Sequence, residues 1–349
     1  MSEQTEIVKR IERLVVHVEE AMRLSKRPEE PYQRLALLLF DSAAELILYR
    51  ETDYRLHWEE LLVDRQLESL KAHEQRIGTL PPDLATRKSE LEQRATPQKR
   101  RERIASDFLP KVAFLEEKGM IPGATLRVLR KLHQYRNGAY HRDEIRSTTL
   151  ATAVRIYGYL VCVMMRDIPP HTVGWGSEDD YPTVAKYFDG RRPPIGAEVQ
   201  ALIAEQLIMR YAADPQSEVT AALSSHLVDR LDDLDYSLDF IAEFLAERHN
   251  DTGWDRDAVL HLLQLPDVLA SEYAAAEQVR GINVKVRQRE LDAWRARATK
   301  LASETDLIVA FGKFADLEDA FEPTEESAHD LARDIDVHIN MEIDRMRGK

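Results

Sequence analysis

The stretch Leu132-His133-Gln134-Tyr135-Arg136-Asn137-Gly138-Ala139-Tyr140-His141-Arg142-Asp143 decides how the chain is read. An apolar helical run from Ala124 to Leu132 leads into it, and a second run from Thr149 to Asp167 leads away. Arg136 and His141 stand five apart, with an amide, Asn137, directly after the arginine. Asn137-Gly138 is a turn dipeptide. The spacing therefore predicts a break between two helices at Gly138, with Asp143 as a first-turn acid of the second. Such a break would let Arg136 and His141 converge. On an unbroken helix, five steps of about 100° would turn them well apart.

Outward from this stretch the signal is helical. Residues 4–25 repeat Ile7, Ile11, Leu14, Val15, Val18 and Met22 at three- and four-residue spacing, and Pro28 ends the run. Residues 32–52 are apolar nearly all round, which predicts a central core helix. Asp41 and Glu45 sit on it one turn apart; they read either as a polar edge or buried partner for an arginine, or as the group that orients Arg136 by a charge-assisted pair. Residues 55–105 read as a basic insertion: Trp58, Leu61, Leu62, Leu67 and Leu70 predict a helix that Pro81-Pro82 breaks, and Arg87, Lys88, Arg94, Lys99, Arg100, Arg101 and Arg103 follow in a stretch with little apolar content, expected to be a projecting helical hairpin or an arm. Ile168-Pro169-Pro170 closes the last helix of this part.

Composition supports an all-α protein. The 349 residues hold only 13 Gly and 15 Pro, and few runs alternate with period two. The expected organisation is a helical domain over 1–170, a Pro- and Gly-rich linker over 171–194, and a second helical domain over 195–349. In that second part helices are expected at 196–212, 217–249, 255–280 (kinked or split at Pro266), 283–302, 305–320 and 324–347. The single cysteine, Cys162, excludes a disulfide framework within one chain and fits a cytoplasmic setting. The polar, acidic first residues are unlike a signal peptide. No stretch reaches the length of an apolar membrane span.

The net charge of −14 hides a division. Residues 195–349 carry 16 basic and 32 acidic side chains, whereas residues 1–194 carry 32 and 30. Around the opening stretch, residues 127–146 hold six cations (Arg127, Arg130, Lys131, Arg136, Arg142, Arg146) against Asp143 and Glu144. A local basic patch is what a phosphate backbone requires, and whole-chain charge mainly affects steering. The alternative is a solvated helix face of mixed charge.

Arg136, Asn137 and His141 resemble the R-N-x-x-x-H motif of HEPN domains, all-helical modules often used as ribonucleases. The resemblance covers half the chain at most, and its specific part is a dozen residues. It implies an N-terminal HEPN-like bundle followed by an acidic helical domain of separate role. It also implies metal-independent cleavage of RNA without a cofactor. His141 would do proton work near neutral pH. Arg136, always charged and planar, would stabilise the developing phosphate charge. Asn137 would position a ribose, a phosphate oxygen or His141, Tyr140 would stack on a base, and Lys131 and Arg142 would hold flanking phosphates. One histidine per chain is thin for both acid and base, so a homodimer with facing motifs is expected. Such enzymes resemble toxins and phage-defence effectors, with an antitoxin or sensor docking on the acidic C-terminal part. HEPN-like folds also occur as inactive RNA- or protein-binding modules, and an unrelated helical scaffold is the further alternative.

Other constellations are weaker. Asp229, Asp232, Asp233, Asp235 and Asp239 read as a solvated acidic face sooner than as a cation site. Asp251 to Asp257 only loosely resembles a calcium loop. His133 reads as a capping or surface histidine, and Cys162 as a core residue. Zinc, P-loop and Rossmann motifs are missing from the sequence.

Overall fold

A computed structural model describes residues 3–141, 147–171, 181–189, 198–211, 216–266 and 275–347. Every regular element among the described residues is a helix, so the all-α expectation holds. The chain forms two compact units, residues 1–214 and 215–349.

The first unit is built on α1 (Glu3–Ser25) and α2 (Glu30–Glu59), which pack side by side and onto α8 (Ser147–Asp167). Pro31 starts α2, where a missing N–H costs nothing. Leu37, Phe40, Ala44 and Leu48 of α2 and Ile11, Leu14 and Val18 of α1 are all closed to water where the two helices pack. α8 adds Val154, Tyr157, Leu160, Val161 and Cys162, all fully buried. Burial pushes the Cys162 thiol far above its ordinary range, which leaves it a small apolar residue.

The basic insertion is helical and folded. α2 continues through a π-helical turn, Glu60–Asp64, into α3 (Arg65–Ile77), which pairs with α4 (Pro82–Arg94). Val63, Leu67 and Leu91 give this hairpin a small core of its own. α5 (Gln98–Ser106) and α6 (Phe108–Glu117) lead back to the bundle. Glu59, nearly buried, fixes the base of the hairpin. Its carboxylate accepts from the Thr96 amide at 2.7 Å, the Thr96 hydroxyl at 3.1 Å and Arg101 at 2.8 Å, with Lys118 at 3.4 Å.

This anchor predicts a pH dependence. Burial alone would raise the Glu59 pKa, but the two Thr96 bonds, Lys118 and Arg101 outweigh it and hold the carboxyl below its ordinary 4.5. A depressed folded pKa contributes stability that is present above 4.5 and is lost as pH falls below it. Glu59→Gln is therefore expected to lower Tm by several degrees at pH 7, with the gap to the wild type narrowing in acid. A gap that stays constant from pH 7 to pH 3 in thermal melts would count against the anchor.

Two expected boundaries move. The linker expected over 171–194 includes residues 181–189, yet these fold onto α1 as α9 (Pro182–Ala185) and a 3₁₀ turn (Lys186–Phe188), with Tyr181, Val184 and Tyr187 buried. Glu12 accepts from the amides of Thr183 and Val184 at the open start of α9, at 2.7 and 2.9 Å, and Glu19 binds Lys186 and Tyr187. The expected domain start at 195 also moves. α10 (Glu198–Tyr211) packs on α8, where Gln200 donates to the carbonyls of Met165 and Ile168 at 2.9 and 3.0 Å. It belongs to the first unit because those carbonyls end α8 and need a donor.

The second unit is organised by α11 (Gln216–His249), with α12 (Arg256–Leu263), α13 (Ala276–Arg280), α14 (Gln288–Lys300) and α15 (Leu307–Met346). α12 stops before Pro266, as expected. The expected pair of helices 305–320 and 324–347 is instead one helix running through Pro323. The acidic face of α11 is not simply solvated. Asp232 and Asp235 pair with Arg295, and Asp235 and Asp239 pair with Arg256. Asp251 accepts from the amides of Gly253 and Ala276, Asp255 caps α12 and Asp257 accepts from the Gln288 amide, so all three acids of the calcium-like loop serve the backbone. No helix among the described residues is long and apolar enough to cross a membrane.

Candidate functional site

The motif lies on α7 (Gly123–His141), a single helix that does not break at Asn137-Gly138. The turn dipeptide is overruled by tertiary contacts. A mid-helix glycine costs only about 1 kcal/mol. Against that, Ala139 is buried, Arg34 of α2 donates to the Ala139 carbonyl, and Arg136 is tied to α2. A continuous α7 separates the Arg136 and His141 positions by about 140° around the axis and about 7.5 Å along it. The convergence expected from a break is therefore not supplied by the backbone of one chain.

Asp41 sits at the centre of the site. It is fully buried on α2, facing α7 and α8. Its Oδ1 accepts from the Tyr157 hydroxyl at 2.6 Å and from His133 Nδ1 at 3.0 Å. Its Oδ2 lies 3.1 Å from Arg136 Nε, an ion pair without hydrogen-bond alignment. Burial, and then the neighbouring Asp41 carboxylate, pushes the Tyr157 hydroxyl well above its ordinary range, so it stays a neutral donor. Arg136 Nη1 donates to Asn137 Oδ1 at 2.9 Å. The Arg136 side chain is 26 % exposed, so its guanidinium is anchored from the inside and still reaches the surface.

Of the two readings of Asp41 and Glu45, Asp41 satisfies both at once: it is a buried partner and it orients Arg136. His133 is not a surface histidine. It is stacked flat on Phe108, with centroids 4.0 Å apart and 8° between planes, and it leans on Asp41. The signal was present in the spacing, because His133, Arg136 and Asn137 stand at i, i+3 and i+4 and share one helix face. Lys131, expected to be an open phosphate contact, is buried at 4 % exposure with its ammonium 5.6 Å from the Tyr135 ring. Arg127 and Arg130 are exposed on the same helix. Arg142 lies outside the described residues, as do the side chains of Tyr140 and His141.

Asp41, Glu45 and His133 each offer a ligand atom, and these lie within 4.8 Å of one another. The guanidinium of Arg136 already stands against Asp41, so a divalent cation would have to displace it. The group reads better as a hydrogen-bonded support for an arginine than as a cation site. No family model, curated protein or solved structure matches the chain, so the chemistry of the site is argued from its geometry.

Proposed function

We propose that the first unit is a HEPN-like, metal-independent endoribonuclease, working as a homodimer. The observation that carries this reading is the buried Asp41 carboxylate holding a partly exposed Arg136. A guanidinium fixed in advance stabilises charge that develops on a phosphate without reorganising at the moment of reaction. In the proposed reaction a ribose 2′-OH attacks the adjacent phosphorus and loses its proton to a base. The P–O5′ bond breaks, an acid protonates the departing oxygen, and a 2′,3′-cyclic phosphate remains. His141 supplies one proton-transfer group per chain, and the partner chain supplies the second. On an unbroken α7, Arg136 of one chain works with His141 of its partner. In this reading the protein acts in the cytoplasm as a toxin or phage-defence effector, restrained through its acidic second unit.

The test is RNA cleavage in EDTA by the full chain. His141→Ala is expected to slow it by about 10² to 10⁴, and Arg136→Ala by about 10² to 10³. DNA of the same sequence should stay intact. Adding a growing excess of His141→Ala to the wild type is expected to lower cleavage below that of the wild type present, because each mixed dimer holds a single His141. Cleavage that stays equal to that of the wild type present would place both proton-transfer groups of a site in one chain. Intact RNA with all proteins overturns the enzyme.

The continuity of α7 also favours a second reading, an inactive module that binds RNA through Arg136 and the exposed Arg127 and Arg130. Binding without cleavage, weakened in Arg136→Ala, would establish it.

A further inference from the structure

A second group of cations gathers where α1 meets the later part of α2. Arg50 donates from Nη2 to the backbone carbonyl of Arg10 at 2.8 Å. Among the described residues no carboxylate pairs with Arg50 or Arg10. Burial, and then the nearby charges of Arg10 and Arg13, pull Arg50 down to about 10. His17 is lowered as well, by burial and by Arg50. Arg50 is half-buried and Arg10 exposed, so the two cations are partly withdrawn from water with a backbone carbonyl but no carboxylate between them. This corner of the fold therefore carries a positive charge that its own acids do not neutralise.

The charge borders a cavity of about 260 Å³ lined by Arg10, Arg50, Tyr49, Tyr54, His57 and His171, among others. The size suits a phosphate with a small organic body better than a polymer. Glu51 also faces the cavity, but its carboxylate is engaged by Arg55 at 2.7 Å and by His171. Asp53 stands exposed at the edge. Tyr54 and His171 stack at 3.3 Å with 8° between their planes, a flat wall against which an aromatic group would rest. On α2 Arg50 follows Asp41 by nine residues, about half a turn out of phase. The cavity is thus on a different side of α2 from the Arg136 site.

We propose that this cavity binds a phosphoryl group, as the free ion or as a monoester, with Arg10 and Arg50 gripping the phosphoryl oxygens. Arginine suits the task because its planar fork matches phosphate geometry. The site does not depend on the ribonuclease reading, since none of its residues belongs to α7.

The test uses the full chain, with inorganic phosphate and phenyl phosphate as probes and chloride at equal ionic strength as the control. Calorimetry is expected to show saturable binding, and both probes should raise Tm by a few degrees at saturation. Tighter binding of phenyl phosphate identifies an organic monoester, and equal binding identifies the free ion; both carry the proposal. Arg50→Met and Arg10→Met are each expected to weaken binding at least about tenfold. Absence of saturable binding to the wild type overturns the proposal. So does unchanged affinity in Arg10→Met, which serves as the deciding variant if Arg50→Met does not fold.

Discussion

Asp41→Ala is expected to destabilise the first unit by about 3–5 kcal/mol, the range for removing one partner of a buried charged network. The change leaves the Tyr157 hydroxyl and His133 Nδ1 without their acceptor and Arg136 without its counter-charge, all within a packed core. A urea midpoint shifted by less than the equivalent of about 1 kcal/mol would mean that Asp41 is dispensable to the fold. Asp41→Asn separates the two roles of the residue. The amide keeps the shape and can still accept from Tyr157, so a smaller loss of stability is expected. It removes the charge that holds Arg136, so RNA cleavage should fall as far as in Arg136→Ala. Full cleavage by a folded Asp41→Asn would remove the support for an oriented arginine and leave Asp41 a purely structural acid.

The core helices were legible because their apolar residues recur at helical spacing and nothing else in the chain competes with that pattern. α2 was marked as the central helix by an apolar surface extending nearly all round, and it is the element that α1, α6, α7 and α8 all touch. The candidate site was only half legible. Arg136 and Asn137 were picked out, and Asp41 was suggested, because charged residues on an otherwise apolar helix need a reason. His133 was misjudged, because whether a histidine is at the surface or sandwiched depends on Phe108, a residue from another helix. The continuity of α7 is hidden from the sequence for a related reason. Asn137-Gly138 reports a local preference of about 1 kcal/mol, whereas Arg34 and Asp41 act from more than 90 residues away. Lys131 shows the limit of counting charge in a window, since a cation contributes to a surface patch only if its helix turns it outward. The acids of α11 erred in the opposite direction, reading as solvated because the arginines that neutralise Asp232, Asp235 and Asp239 lie on other helices.

The same contest between local preference and distant contact is sharpest at Pro323, and there it yields the second large expected effect. A proline inside a helix removes a backbone hydrogen bond and crowds the preceding turn, at a cost of about 3 kcal/mol. α15 nevertheless continues through it. Arg230 of α11 explains how, because its guanidinium binds Glu318 before the proline and Glu325 after it, with its Cζ over the Phe321 ring, 4.8 Å from the centroid. Glu318 is fully buried and Glu325 nearly so. One side chain thus clamps both halves of the helix to α11. Arg230→Met is expected to destabilise the second unit by about 3–5 kcal/mol, since two buried carboxylates lose their cation. It should also loosen α15 beyond Pro323, raising amide exchange in residues 324–346 more than in residues 307–320. Pro323→Ala supplies the complementary measurement. If Arg230 is what holds the helix across the proline, then restoring the backbone bond should recover part of the stability lost in Arg230→Met, and the combined variant should be more stable than Arg230→Met alone. Equal exchange on both sides of Pro323 in Arg230→Met would show that the helix is continuous without the clamp, and would reduce Arg230 to an ordinary buried ion pair.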